Sequence, residues 1–208
     1  MPQAIPLCAG WSAQPGQPTA LCQAEDAVLM YALTSVPNSA VARAVVVRSI
    51  RPDDASALQA FHRRLSEDTV HNRFFGLHPE LSEQEARRFT SLAAGEETAL
   101  VATVDDRIVA VGRSVRLGGG DAAEVAFVVS DGYQHHGIGT TLLRLLARLG
   151  WDDGLRRFVA DTFSSNRSML DVFMHTPEAV TVLTVRHDGS AVHLVMRITP
   201  PPSLHTGG

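Results

Sequence analysis

The chain contains no lysine; its 18 basic residues are all arginine. That absence removes the Gly-Lys-Ser/Thr ending of a phosphate-binding P-loop. The arginines are dispersed without a long basic block and the net charge is −4, so neither nucleic acid nor an anionic membrane is indicated as a partner. Two cysteines, Cys8 and Cys22, provide no disulfide framework and no metal-ligand spacing. There is no apolar run of about 18 residues, and the N-terminus lacks a charged segment leading into a long apolar core. A cytoplasmic protein is therefore expected.

What is present is enough for one domain with a sizeable core: 208 residues, 45% of them hydrophobic. Residues 1–43 read as an N-terminal extension with five prolines, almost no charge and one apolar patch, Ala27 to Leu33. Pro15, Pro18 and Pro37 exclude a single continuous element, leaving open an added strand or helix or a partly irregular segment. Residues 44–199 form the expected main domain, and Pro200-Pro201-Pro202 opens a tail, 200–208, expected to be disordered.

The main domain is organised around residues 122–149. From Ala123 to Val129, residues alternate between two faces with the period of a β-strand. From Ile138 onward, Ile138, Leu142, Leu145, Leu146 and Leu149 mark one buried helix face. Between them stands Gln134-His135-His136-Gly137-Ile138-Gly139, a glycine turn at a helix N-terminus. Free N–H groups and about half a positive charge of helix dipole would face an anion there. A dinucleotide-binding turn wants Gly-x-Gly-x-x-Gly within a parallel βαβ unit, whereas this turn has Gly-x-Gly only and its upstream strands are joined by hairpins. The plain alternative is a helix start with convenient glycines.

The remaining pattern places this unit in a longer order. Ala44 to Ile50 predicts a strand, and Pro52-Asp53-Asp54 starts a helix carrying Leu58, Phe61 and Leu65. A short helix follows from Ser66 to about Gly76, and Ser82 with Glu85 forms a capping box before Ala86, Phe89 and Ala93. Thr98–Val104 and Ile108–Val115 flank a turn at Asp105 to Arg107, and three glycines, 118–120, lead into the central strand. Phe158–Phe163 is a strand, Asn166 caps a helix through Phe173, and Val180–Arg186 and Ala191–Ile198 flank a hairpin at Asp188-Gly189. The predicted order is β-α-α-β-β-β-α-β-α-β-β.

Gln-x-x-Gly-x-Gly after a strand, opening a leucine-rich helix, resembles the pyrophosphate-binding motif of the GNAT superfamily of acyl-CoA-dependent N-acyltransferases. The resemblance spans about residues 44–198 and is nearest to the acetyltransferase domain of bacterial protein lysine acetyltransferases that modify acyl-CoA synthetases. It rests on Ile50 to Asp54, Arg73-Phe74-Phe75-Gly76, Leu81-Ser82, Arg88 to Thr90, Ala123 to Phe127, Arg157 to Asp161, and Asn166 to Met169. It implies an α/β (α+β) fold with a mixed, mostly antiparallel central sheet flanked by helices. Acetyl-CoA is the implied cosubstrate. Gln134, His135, His136, Gly137, Ile138, Gly139 and Thr140 are expected around its pyrophosphate. Main-chain groups of Phe127, Val128 and Val129 should hold the pantetheine arm, and Asn166, otherwise a plain N-cap, matches a CoA-side asparagine.

Glu124 matches the glutamate that serves as general base in lysine acetyltransferases of this superfamily; by itself it reads as a solvated strand residue. Three departures bear on function. His136 stands where Arg or Lys usually precedes Gly137, Phe173 replaces a tyrosine acid, and Pro177 to Val180 replaces a usual Gly-Phe. His135-His136 does not make a metal site, because adjacent side chains diverge and no third ligand is placed. The expected acceptor is a protein lysine, with an acyl-CoA synthetase as one candidate. A small amine, or a non-catalytic acyl-CoA-binding module, are the other readings, and a homodimer is compatible with each.

Overall fold

Strand β6 (Ala122–Val129) divides the molecule, because its two faces bury different cores. The computed structural model describes residues 19–21, 28–33, 43–74 and 80–201. Cys8, Cys22, Phe75, Gly76 and the tail beyond 201 lie outside the described residues. Before β6 come β1 (Thr19–Leu21), β2 (Val28–Leu33) and β3 (Arg43–Ser49), then α1 (Ala55–His62), α2 (Glu67–Phe74) and α3 (Glu83–Thr90), then β4 (Glu97–Val104) and β5 (Arg107–Arg116). After it come α4 (Ile138–Asp152), β7 (Arg157–Phe163), α5 (Arg167–Met174), β8 (Val180–Asp188) and β9 (Ala191–Ile198).

All strands join one sheet in the order β1-β2-β3-β4-β5-β6-β7-β9-β8. Every neighbouring pair is antiparallel except β6 and β7. Two strands of the extension thus continue the sheet at β3, with Leu29 opposite Val47 and Leu33 opposite Arg43. The sheet is mixed and mostly antiparallel, and the main domain runs β-α-α-α-β-β-β-α-β-α-β-β, with three helices between its first two strands where the sequence order has two.

Period-two alternation sorts the strand residues between two cores. Ala123, Val125 and Phe127 pack with Ile138, Leu142 and Leu146 of α4 and Phe173 of α5. On the opposite face, Val111 and Val128 pack against Ile50, Leu58, Phe61 and Leu81. The central strand β4 is apolar on both faces, with Leu100 and Ala102 in the first core and Ala99 and Val101 in the second.

Local details differ from the periodicity in three places. The buried stripe of α4 runs through Leu142, Leu143, Leu146 and Ala147, and Leu145 and Leu149 sit at its margin. Helix α3 ends at Thr90, where its C-cap Ser91 leaves the helical conformation at φ −99° and ψ 89°, so Ala93 lies beyond it. The last hairpin turns at Gly189-Ser190, since Asp188 still pairs with Ala191 and Gly189 takes φ +59°. A glycine in the left-handed region is the first loop residue here, which keeps the aspartate in the strand.

Candidate active site

Strands β6 and β7 begin side by side and then part. Their parallel pairing covers only Ala122–Arg157, Ala123–Phe158 and Glu124–Val159. Beyond Glu124, β6 stays bonded to β5 through Val129, and no described strand pairs with its other edge. The gap opens into a cleft of about 860 Å³ lined by Glu124 through Val129, the loop to α4, and residues of α2, β7 and α5. A strand edge in such a cleft offers N–H and C=O groups to any extended ligand laid beside it.

The glycine turn closes one end. Gly137 is the N-cap of α4 at φ +77°, a left-handed conformation that costs an L side chain about 1 kcal/mol or more, and it supplies no side-chain cap. The first amides of α4 consequently have no acceptor within the helix and lie at the positive end of its dipole. Ile138, Gly139 and Thr140, which carry them, line the cleft. Gly139 serves packing: a Cβ there would lie 3.3 Å from Val172 Cγ2 of α5. The turn thus combines an uncapped helix start, no Cβ at its mouth and an adjoining free strand edge, features that favour an anion.

Of the residues singled out in the sequence, Glu124, Phe127, Val128, Val129, Gln134, His135, Gly137, Ile138, Gly139, Thr140 and Asn166 all line this cleft. His136 does not; its Nδ1 lies 2.5 Å from the Gln134 carbonyl oxygen, within the turn itself. Gln134 spends its side-chain amide as a brace, donating to Val129 O at 3.1 Å and Thr69 Oγ1 at 3.2 Å. Asn166 accepts from Met169 N at 3.2 Å, so its side chain caps α5. Phe173 is buried, its ring 5.9 Å from that of Phe127.

Several cleft residues were assigned no role from the sequence. Asp131, two residues past β6, accepts hydrogen bonds from Ser66 N at 3.0 Å, Ser66 Oγ at 2.6 Å and Thr69 Oγ1 at 2.8 Å. Burial pushes its pKa up, and these hydrogen bonds outweigh burial and hold it below the usual carboxylate value. The start of α2 is thereby capped from a distant loop, which ties that helix to the glycine turn. Arg167, the first residue of α5, adds a cation to the cleft wall, as Arg73 of α2 does on the side of Glu124. Asp161 also lines the cleft and is paired with His193 across β7 and β9.

Glu124 makes no hydrogen bond or ion pair among the described residues. It occupies the last paired position before the strands part, facing the cleft from the side covered by α2. No group of three His, Cys, Asp or Glu side chains converges among the described residues. No helix among them is long and apolar enough to cross a membrane.

Comparison with known proteins agrees with this geometry. The solved GNAT domain of S. lividans PAT is 29% identical, with a TM-score of 0.70 over 81% of this chain and 97% of that one. An acetyltransferase of Pseudomonas aeruginosa is 28% identical over 134 residues, covering 62% of this chain and 72% of its own. RimL, a ribosomal L7/L12 alpha-N-protein acetyltransferase solved with coenzyme A, shares the fold at 17% identity and TM-score 0.59, covering 78% of this chain and 97% of its own. The model of the acetyltransferase (GNAT) family matches residues 58–175, which hold the cleft, the glycine turn and Glu124. With more than half its length in that match and the parted strands at its centre, the chain belongs to the GNAT family of acetyltransferases, enzymes that use acetyl-CoA as acyl donor.

Proposed function

We propose that this enzyme acetylates the side-chain amine of a protein lysine, with Glu124 as general base. The observation carrying this reading is the position of Glu124 at the point where β6 leaves β7, in the cleft wall beside the free strand edge. Acetyl-CoA supplies a thioester, whose carbonyl carbon accepts an amine nitrogen and whose thiolate leaves. The turn at Gly137–Thr140, with the cation of Arg167 in the same wall, receives its phosphates. The free edge of β6 over Phe127–Val129 holds the pantetheine arm and directs N–H groups at the charge that builds on the carbonyl oxygen.

The amine needs more help than the donor. With an ordinary lysine pKa of about 10.4, roughly one molecule in 2,500 is neutral at pH 7, a cost of about 4–5 kcal/mol. Glu124 lowers that cost by taking the proton as nitrogen attacks. The thiol has an ordinary pKa of about 8.5, so the thiolate departs without a strong acid, and the buried Phe173 in place of a tyrosine is tolerated. A protein acceptor is supported by the motif resemblance to protein lysine acetyltransferases and by the likeness to S. lividans PAT.

The test is mass spectrometry of candidate proteins and amines after incubation with enzyme and acetyl-CoA. The enzyme has no lysine, so acetyl-lysine in untagged reactions marks the acceptor. Acetylation of lysine side chains supports the reading; transfer confined to small amines or α-amines removes it.

A further inference from the structure

We propose that Arg73 is a specificity residue of the acceptor site and receives a carboxylate carried by the acceptor near its amine. This rests on the reading of Glu124 as the base on the acceptor side. Arg73 stands in the last turn of α2 and lines the main cleft together with Glu124. It also lines a smaller adjoining cavity, whose wall includes Ala126, Val128 and Phe74. The side chain is half-buried, yet the guanidinium makes no hydrogen bond or ion pair among the described residues. Its near neighbour is the Phe74 ring, 5.2 Å from the guanidinium carbon.

Its neighbour Arg113 shows what a settled arginine looks like in the same protein. Arg113 donates to Phe89 O at 3.0 Å and to Glu97 Oε2 at 2.6 Å, and its guanidinium carbon lies 5.4 Å from the Phe89 ring. Arg73 has the burial without a hydrogen-bonded counter-charge; the nearby charge of Glu124 acts on it only at a distance. Burial pushes its pKa down, Arg113 pushes the same way, and Glu124 opposes both. Guanidinium stays protonated in proteins, so a desolvated one without an anion is costly until a ligand supplies it. Its planar fork matches a carboxylate with two parallel hydrogen bonds. With Glu124 meeting the ammonium and Arg73 the carboxylate, the cleft is charge-matched to an acceptor bearing both groups.

Such a carboxylate has two sources, an acidic side chain flanking the acceptor lysine or the α-carboxylate of a free amino acid. The experiment separates them with two matched pairs of acceptors. One pair is capped peptides with Glu or Gln beside a single lysine; the other is free lysine and lysine amide. Wild type is expected to favour the carboxylate member of one pair by about tenfold or more in kcat/KM. In Arg73→Gln that ratio should fall to within about twofold, with acetyl-CoA KM unchanged, and Arg73→Lys should keep part of it. Arg73→Gln breaks no hydrogen bond or ion pair and gives up only the contact with the Phe74 ring, so its melting temperature should stay close to wild type. Ratios near one in both pairs, a ratio that survives Arg73→Gln, or an acetyl-CoA KM that rises instead would each overturn the proposal. If no amine is acetylated, the proposed function fails separately, and calorimetric binding of the same pairs to CoA-saturated enzyme decides the carboxylate preference by the same ratios.

Discussion

Glu97 and Glu124 lie in one row across the sheet, on either side of Val115: Glu97 pairs with Val115 on β5, and Val115 pairs with Glu124 on β6. They share a face and a neighbour, and their surroundings are opposite. Glu97 is 6% exposed and clamped by Arg88 at 2.6 Å and Arg113 at 2.6 Å. The Arg88 hydrogen bond, opposed by burial and helped by the Arg113 charge, brings its pKa down to about 2. Glu124 has no such clamp and opens on the cleft. A carboxylate held that firmly by two cations is a poor base, because the same bonds resist protonation. The sheet thus holds one glutamate in a double ion pair beyond the end of the β3–β4 pairing, and leaves the other without an ion pair at the last position where β6 still pairs with β7.

Exchanging the task of Glu124 should have the largest effect. Glu124→Gln keeps the strand and its shape but cannot accept a proton, so acetyl transfer should fall by about 10²-fold or more at neutral pH. The deficit should shrink between roughly pH 6.5 and 9.5, since free amine becomes available without help. CoA affinity and melting temperature should match wild type. A mutant within about threefold at neutral pH, with chemistry rate-limiting, assigns the proton to another group.

Glu97→Gln should invert that outcome, keeping catalysis in the surviving fold while reducing stability by about 2–3 kcal/mol, because Arg113 is left buried without its partner. Urea denaturation at pH 7 measures this. The pH dependence follows from the sign of the shift. A folded-state pKa of about 2 against an unfolded value of 4.5 gives stabilisation that is complete above pH 4.5 and lost as pH falls towards 2. The mutant's stability should therefore converge on wild type as pH drops from 5 to about 2.5. Parallel curves would assign the loss to shape.

Between these extremes lies Asp131. Asp131→Ala removes three hydrogen bonds that hold the start of α2 to the loop after β6. We expect a loss of about 1–2 kcal/mol and a several-fold rise in the acceptor KM, with kcat less affected. A change confined to stability would show that α2 keeps its place on the cleft without the tie.

The contrast within the row also shows how far the sequence could be read. Alternation in Ala122–Val129, the leucine spacing of α4, the Ser82–Glu85 box and Asn166 are local patterns, and local patterns are where residues declare periodicity and caps. The glycine turn was legible for the same reason, although only the fold separates Gly137, required for its backbone angle, from Gly139, required by Val172. The tie between Asp131 and Ser66 spans 65 residues, and the isolation of Arg73 beside the satisfied Arg113 depends on which strand lies next to which. Neither leaves a spacing in the chain. Nor does the parting of β6 and β7, which is an absence of pairing between two segments that each read as ordinary strands.

The smallest effect is expected where the sheet is farthest from the cleft. Strands β1 and β2 extend it at β3, four strands away from β7. Deleting residues 1–42 removes them but leaves β3 paired with β4 through Val46–Thr103 to Ser49–Leu100. Cleft, glycine turn, Glu124 and both arginines remain, so CoA affinity by calorimetry should stay within about twofold of the full chain. The cost should appear elsewhere. β3 becomes an edge with unpaired N–H and C=O groups, and such an edge recruits other strands. Light scattering should show concentration-dependent association in the truncated protein and less of it in the full chain. If CoA affinity falls tenfold in a folded, monomeric truncation, the extension contributes to the site and the domain starts before residue 44.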